Sequence, residues 1–92
     1  MSRHALPYLN DILNRIHRIE RYTASGYDAF EQSEMMQDAV IRSFEVIGEA
    51  VKRLDESVIA QQPHILWSDY ASFRDVLIHQ YDRIVLDLVW QF

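Results

Sequence analysis

Residues 36–54 read MQDAVIRSFEVIGEAVKRL, and their spacing decides the fold. Met36, Val40, Phe44, Ile47, Val51 and Leu54 recur at three- and four-residue intervals, the period of one helical face. Met35, Ala39, Val46 and Ala50 run beside them and predict a broad buried surface. Asp38, Arg42, Glu45, Glu49 and Lys52 trace the solvent stripe, and the pairs Asp38/Arg42 and Glu49/Arg53 have the favourable acid-first i,i+4 order. Gly48 costs about 1 kcal/mol against Ala inside a helix, so its purpose is read as close approach of another helix.

Outward from this stretch the same arithmetic finds more helices. Asp28-Ala29-Phe30-Glu31 resembles a capping box, which predicts that the second helix starts there. Before it, Leu9, Ile12, Leu13, Ile16 and Ile19 form one face opposite Arg15, Arg18 and Arg21, predicting a helix from about Pro7 to Tyr22. Pro7 suits a first turn and Ser25-Gly26 supplies the break. Downstream, residues 56–62 predict a short helix and 63–67 an extended connector with Trp67 as an apolar plug. Ser68 or Asp69 is expected to cap a helix running to about His79, and Leu86, Val89 and Trp90 begin a last helical pattern. The reading is all-α, with one domain over residues 1–92.

Composition agrees with that class. At 92 residues, 49% hydrophobic and 25% charged, the chain is globular, and two Gly with two Pro argue against a turn-rich β-sandwich. A chain this small buries only about 60–65% of its unfolded surface, so association with another subunit is expected. The absence of cysteine excludes a disulfide scaffold, a thiolate zinc site and a cysteine nucleophile together. No uninterrupted apolar run of signal-peptide or membrane-span length occurs, so a cytoplasmic location without membrane contact is expected. The net charge of −5 is unevenly spread: residues 1–24 carry +2, residues 25–60 carry −5 and residues 61–92 carry −2. A local basic surface therefore survives only near the start of the chain.

Chemistry concentrates in Arg74-Asp75-Val76-Leu77-Ile78-His79-Gln80-Tyr81. Cutting RNA without a metal needs a base for the ribose 2′-hydroxyl, an acid for the leaving oxygen and a cation for charge developing at phosphorus. His79 and Arg74 are of those types, as general base or acid and phosphate clamp. Five residues turn a helix by about 500°, leaving Arg74 and His79 about 140° apart. A helix end at His79, or a two-fold dimer sharing one cleft, would let them converge. Asp75 and His79 are i,i+4 and share a face, so Asp75 could orient the ring. The bare pattern also suits Arg74 as a surface ion-pair partner, His79 as a helix C-terminal cation and Tyr81 as a core-edge aromatic. His4, His17, His64 and His79 are widely spaced, so no metal site and no cofactor are expected.

The wider sequence resembles the HepT-like family of HEPN-domain proteins. The matching blocks are Tyr8-Leu9-Asn10-Asp11-Ile12-Leu13, then Gln37-Asp38-Ala39-Val40-Ile41-Arg42 continuing to Ile47-Gly48-Glu49-Ala50-Val51, then Pro63-x-Ile65-x-Trp67 and Arg74-x4-His79-x-Tyr81. The resemblance implies an up-and-down HEPN-type bundle that forms a homodimer, pairs two Arg-x4-His motifs and cleaves RNA without a metal, as the toxin of a toxin-antitoxin system. It also implies a minimal nucleotidyltransferase antitoxin that transfers AMP to the motif tyrosine, here Tyr81. Relative to the family, the domain is expected to be short at its C-terminus after Val89-Trp90, and Asp82 stands where an aromatic often follows the motif. The competing expectation is a catalytically silent helical subunit that only scaffolds a nucleotidyltransferase.

Overall fold

A computed structural model describes residues 5–79 and 86–91, without the side chains of residues 79 and 86–88. The elements in chain order are α1 (Ala5–Tyr22), α2 (Tyr27–Glu31), α3 (Glu34–Lys52), α4 (Glu56–Gln61), α5 (Trp67–His79) and α6 (Leu86–Gln91). Every regular element among the described residues is a helix. The protein is all-α.

Helix α3 is central, because α1 and α5 both pack against it. Val40, Phe44, Ile47 and Val51 of its apolar row are buried and join Phe30, Phe73, Leu77 and Val89 in one core cluster. Ala5, Leu54 and Val58 form a smaller cluster at the other end, and Trp67 packs against both. Trp67 is thus the plug its position suggested, with its indole N–H donating to the Gln62 carbonyl at 3.1 Å.

The break after α1 is where Ser25-Gly26 placed it. Gly26 has φ 91°, a left-handed conformation that glycine adopts without Cβ strain. Thr23 closes the helix end by donating its hydroxyl to the Ile19 carbonyl at 2.7 Å.

Four local expectations are corrected. Asp28 does not cap a long helix: α2 starts from Gly26 without a side-chain cap and stops after five residues. The cap that starts α3 is Ser33, whose hydroxyl accepts from the Met36 N–H at 3.1 Å, while the Gln37 amide donates to the Phe30 and Glu31 carbonyls left open by α2. Met35 is 82% exposed, because it falls in the first turn of α3, outside the span covered by the core cluster. Residues 62–65 close a tight turn through the Ile65 N–H to the Gln62 carbonyl, so 63–67 is no extended connector. Helix α5 begins at Trp67, which puts Ser68 and Asp69 inside its first turn, where Asp69 complements the helix dipole.

Candidate functional site

Gly48 fixes where α3 and α5 cross. A Cβ built on Gly48 would stand 2.2 Å from the Arg74 Cβ and 2.8 Å from the Tyr70 carbonyl oxygen, so only a glycine lets α5 lie this close. The close approach read from the sequence is real, and its partner is the motif helix. It brings the stem of Arg74 onto α3 one residue before Glu49.

The Arg74 side chain is 23% exposed, and its guanidinium is held by two acids. Nη2 donates to Glu49 Oε2 at 3.2 Å and Nη1 to Asp75 Oδ1 at 3.1 Å. The Nε atom is buried without a hydrogen-bond partner. Glu49 is shared, since its Oε1 accepts from Arg53 Nε at 3.0 Å. Tyr8 and Glu49 together raise the Arg53 pKa above its ordinary value, Tyr8 through a side-chain hydrogen bond being the larger cause. Asp75 also accepts from Lys52 Nζ. The Lys52 ammonium first and Arg74 second hold the Asp75 carboxyl below the usual carboxylate range, against a weaker opposing effect of burial.

Glu49, Arg53 and Arg74 line a cleft of about 270 Å³ whose wall also includes Tyr8, Asp11, Arg42 and Glu45, with Ile78 beside them. Its cations are paired rather than idle: Arg42 turns forward to Glu45 at 3.3 Å, and Arg53 and Arg74 meet on Glu49. A guanidinium oriented in this way has a fixed fork with hydrogens left to offer a phosphate. On the other side of α3, Phe44, Ile47 and Val51 floor a groove of about 360 Å³ walled by Ile12, Ile16 and Trp67.

Of the four motif residues, Arg74 and Asp75 are brought into direct contact. The backbone of His79 is the last residue of α5, while its side chain and Tyr81 lie outside the described residues. Sequence reasoning did not place Tyr8, Lys52, Glu49 or Arg53 at this site. The signal available was Gly48 next to Glu49, which marks an acid at a helix crossing without naming its partner. Among the described residues, no group of three or more His, Cys, Asp and Glu could hold a metal ion. No helix among them is long and apolar enough to cross a membrane.

The chain is similar to known proteins over nearly its whole length. A family model described as HepT-like, ribonuclease HepT-like, matches residues 12–92. A Methanocaldococcus jannaschii protein named as a γ-glutamylcyclotransferase and candidate RNase is 45% identical over 91% of this chain, which spans 38% of that protein. A second protein of that organism, named as a candidate RNase, is 43% identical over 90% of this chain and 69% of its own length. A Thermococcus cleftensis protein named as a probable ribonuclease HepT is 36% identical over 99% of this chain and 84% of its own length. No solved structure matches the chain.

Proposed function

We propose that this chain, which belongs to the HepT-like ribonuclease family, is an endoribonuclease that works as a two-fold dimer. The observation that carries the reading is Arg74: a half-buried guanidinium, fixed by Glu49 and Asp75 at the wall of an open cleft and five residues before His79.

The reaction assigned to these groups is transesterification. His79 takes the proton of a ribose 2′-hydroxyl, the 2′-oxygen bonds to phosphorus, and the bond from phosphorus to the 5′-oxygen breaks. An imidazolium returns a proton to that leaving oxygen, the role open to the second copy's histidine in a dimer. Arg74 neutralises the charge that grows on the non-bridging oxygens. Asp75 holds Arg74 through one oxygen and is one helical turn from His79, so it orients the motif. The products are a 2′,3′-cyclic phosphate and a 5′-hydroxyl, formed without a metal.

Regulation is assigned to Tyr81. AMP transferred to its hydroxyl by a nucleotidyltransferase antitoxin would bring anionic phosphate beside Arg74 and exclude the substrate's own phosphate.

Expression of the wild-type chain should arrest growth, and His79→Ala should release it. Purified protein should cleave RNA in EDTA and leave cyclic phosphate ends. Cleavage that needs an added divalent ion refutes the mechanism, and a chain that binds a nucleotidyltransferase yet cuts no RNA is the scaffold alternative. Tyr81→Phe should stay toxic and escape the antitoxin.

A further inference from the structure

We infer that Glu49 is the positioning residue of this site: its carboxylate, anchored on one side by Arg53, aims the Arg74 guanidinium into the cleft. The inference rests on the ribonuclease reading of Arg74 and extends it to a residue outside the Arg-x4-His motif.

Three observations carry it. The first is the division of the carboxylate, with Oε1 on Arg53 Nε at 3.0 Å and Oε2 on Arg74 Nη2 at 3.2 Å. A carboxylate tethered at one oxygen has a restricted rotamer, so it presents the other oxygen in a defined place. The second is the crossing at Gly48, which presses the Arg74 stem against α3 and sets the reach from Glu49 to the guanidinium. The third is the donor count. Each terminal nitrogen of Arg74 carries two hydrogens, and Glu49 and Asp75 take one apiece, which leaves one on each for a phosphate oxygen.

The physical role follows from entropy. A free arginine side chain carries about 2 kcal/mol of rotamer freedom, which a phosphate clamp must surrender when it binds. Holding the fork in the folded protein moves that cost from the reaction to folding, the same logic by which positioning groups raise kcat. Arg53 is the outer brace, and Tyr8 of α1 lines the same cleft beside it.

Glu49→Gln tests this. Its amide has one acceptor oxygen in place of two, so either Arg74 loses its partner directly or Arg53 no longer fixes the rotamer that aims it, and in both cases Arg74 keeps its charge but not its fixed aim. The Glu49 side chain is 39% exposed, and folding is expected to survive, as circular dichroism would show. For an RNA the wild type cuts, kcat should fall on the order of 10- to 100-fold with KM within about twofold. Arg53→Ala should reproduce part of that loss and Arg53→Lys should recover some of it. An unchanged kcat overturns the inference, and so does a fall in KM, which would make Glu49 a counter-ion competing with the substrate. A second readout needs no activity: the Nε–H of Arg74, identified by its loss in Arg74→Lys, should shift and exchange faster in Glu49→Gln by NMR. If the wild type cuts no RNA, the ribonuclease reading fails while this resonance still decides the positioning role. An Nε–H signal unmoved by Glu49→Gln refutes it.

Discussion

Two openings flank α3, and they are built on opposite principles. On one side Phe44, Ile47 and Val51 floor an apolar groove; on the other Arg42, Glu45, Glu49 and Arg53 floor a charged cleft. The corresponding positions differ by two residues, a rotation of about 200°, so one helix presents each set to its own side. The apolar side stabilises through contacts that depend on volume and hardly at all on salt or pH. The charged side holds three Arg against three acids, an arrangement whose stability contribution is small but whose geometry is specific. Packing quality is thus spent on one face and chemical specificity on the other, and substitutions should separate the two.

The sharpest separation is expected at Phe44. It is buried, and its ring meets that of Phe73 edge-on with centroids 5.4 Å apart. Phe44→Ala should cost about 3–5 kcal/mol through lost burial and the cavity left behind. In a chain of this size that is a fall in Tm of roughly 12 °C or more, the same at pH 5 and pH 8. A melt showing only a few degrees of loss would mean that the groove collapses to fill the space.

Arg74→Ala should do the reverse. Asp75 keeps Lys52 and Glu49 keeps Arg53, so neither acid is left unpaired and the melt should move far less than for Phe44→Ala. Cleavage should fall on the order of 10²- to 10³-fold, the scale of losing one charge-stabilising group from a transition state. Equal losses of stability and activity would show that Arg74 is a structural brace rather than a phosphate clamp.

Gly48 joins the two faces and should show both symptoms. Alanine favours a helix over glycine by about 1 kcal/mol, yet its Cβ meets the Arg74 Cβ and the Tyr70 carbonyl, which are backbone-near atoms that cannot swing away. Helix α5 must shift, for a net cost of about 1–3 kcal/mol, and Arg74 moves with it. Gly48→Ala should therefore lower Tm by roughly 4–24 °C and reduce cleavage in the same protein. A variant that is as stable and active as the wild type would show that the crossing is loose.

The parts of this arrangement differ in how far the sequence exposes them. The buried row of α3 follows from residue spacing because burial repeats with the helical period, whereas the predicted face of α1 is covered only in part: Ile12 and Ile19 pack against the core, and Leu13 and Ile16 are 52% and 40% exposed because no described element lies over them. The break between α2 and α3 was hidden, since Asp28 and Glu31 mimic a capping box while Ser33 does the capping and Gln37 closes the end of α2. The link from Glu49 to Arg74 spans 25 positions and depends on how two helices cross, which no periodicity encodes. Gly48 announced that a crossing exists, and only the fold identifies Arg74 as the residue that meets it.

The smallest effect tests the rim of the charged cleft. Lys52 is the larger cause of the lowered Asp75 pKa, with Arg74 second. A carboxyl whose folded pKa lies below its unfolded value of about 3.9 stabilises the fold above that pH and stops doing so as the pH falls through the folded value. Lys52→Ala removes the main cause, so it should lower Tm slightly between pH 5 and pH 7. The gap to the wild type should close as the pH drops below about 4, where Asp75 is increasingly protonated in both proteins. Added salt should narrow the gap at pH 7 as well, because Lys52 and Asp75 are both substantially exposed and their attraction is screened. Phe44→Ala should show neither dependence. If the Lys52→Ala gap persists unchanged into acid and at high salt, the lysine acts through its packed aliphatic stem, and the charged cleft is held at its rim by the same forces as the apolar groove.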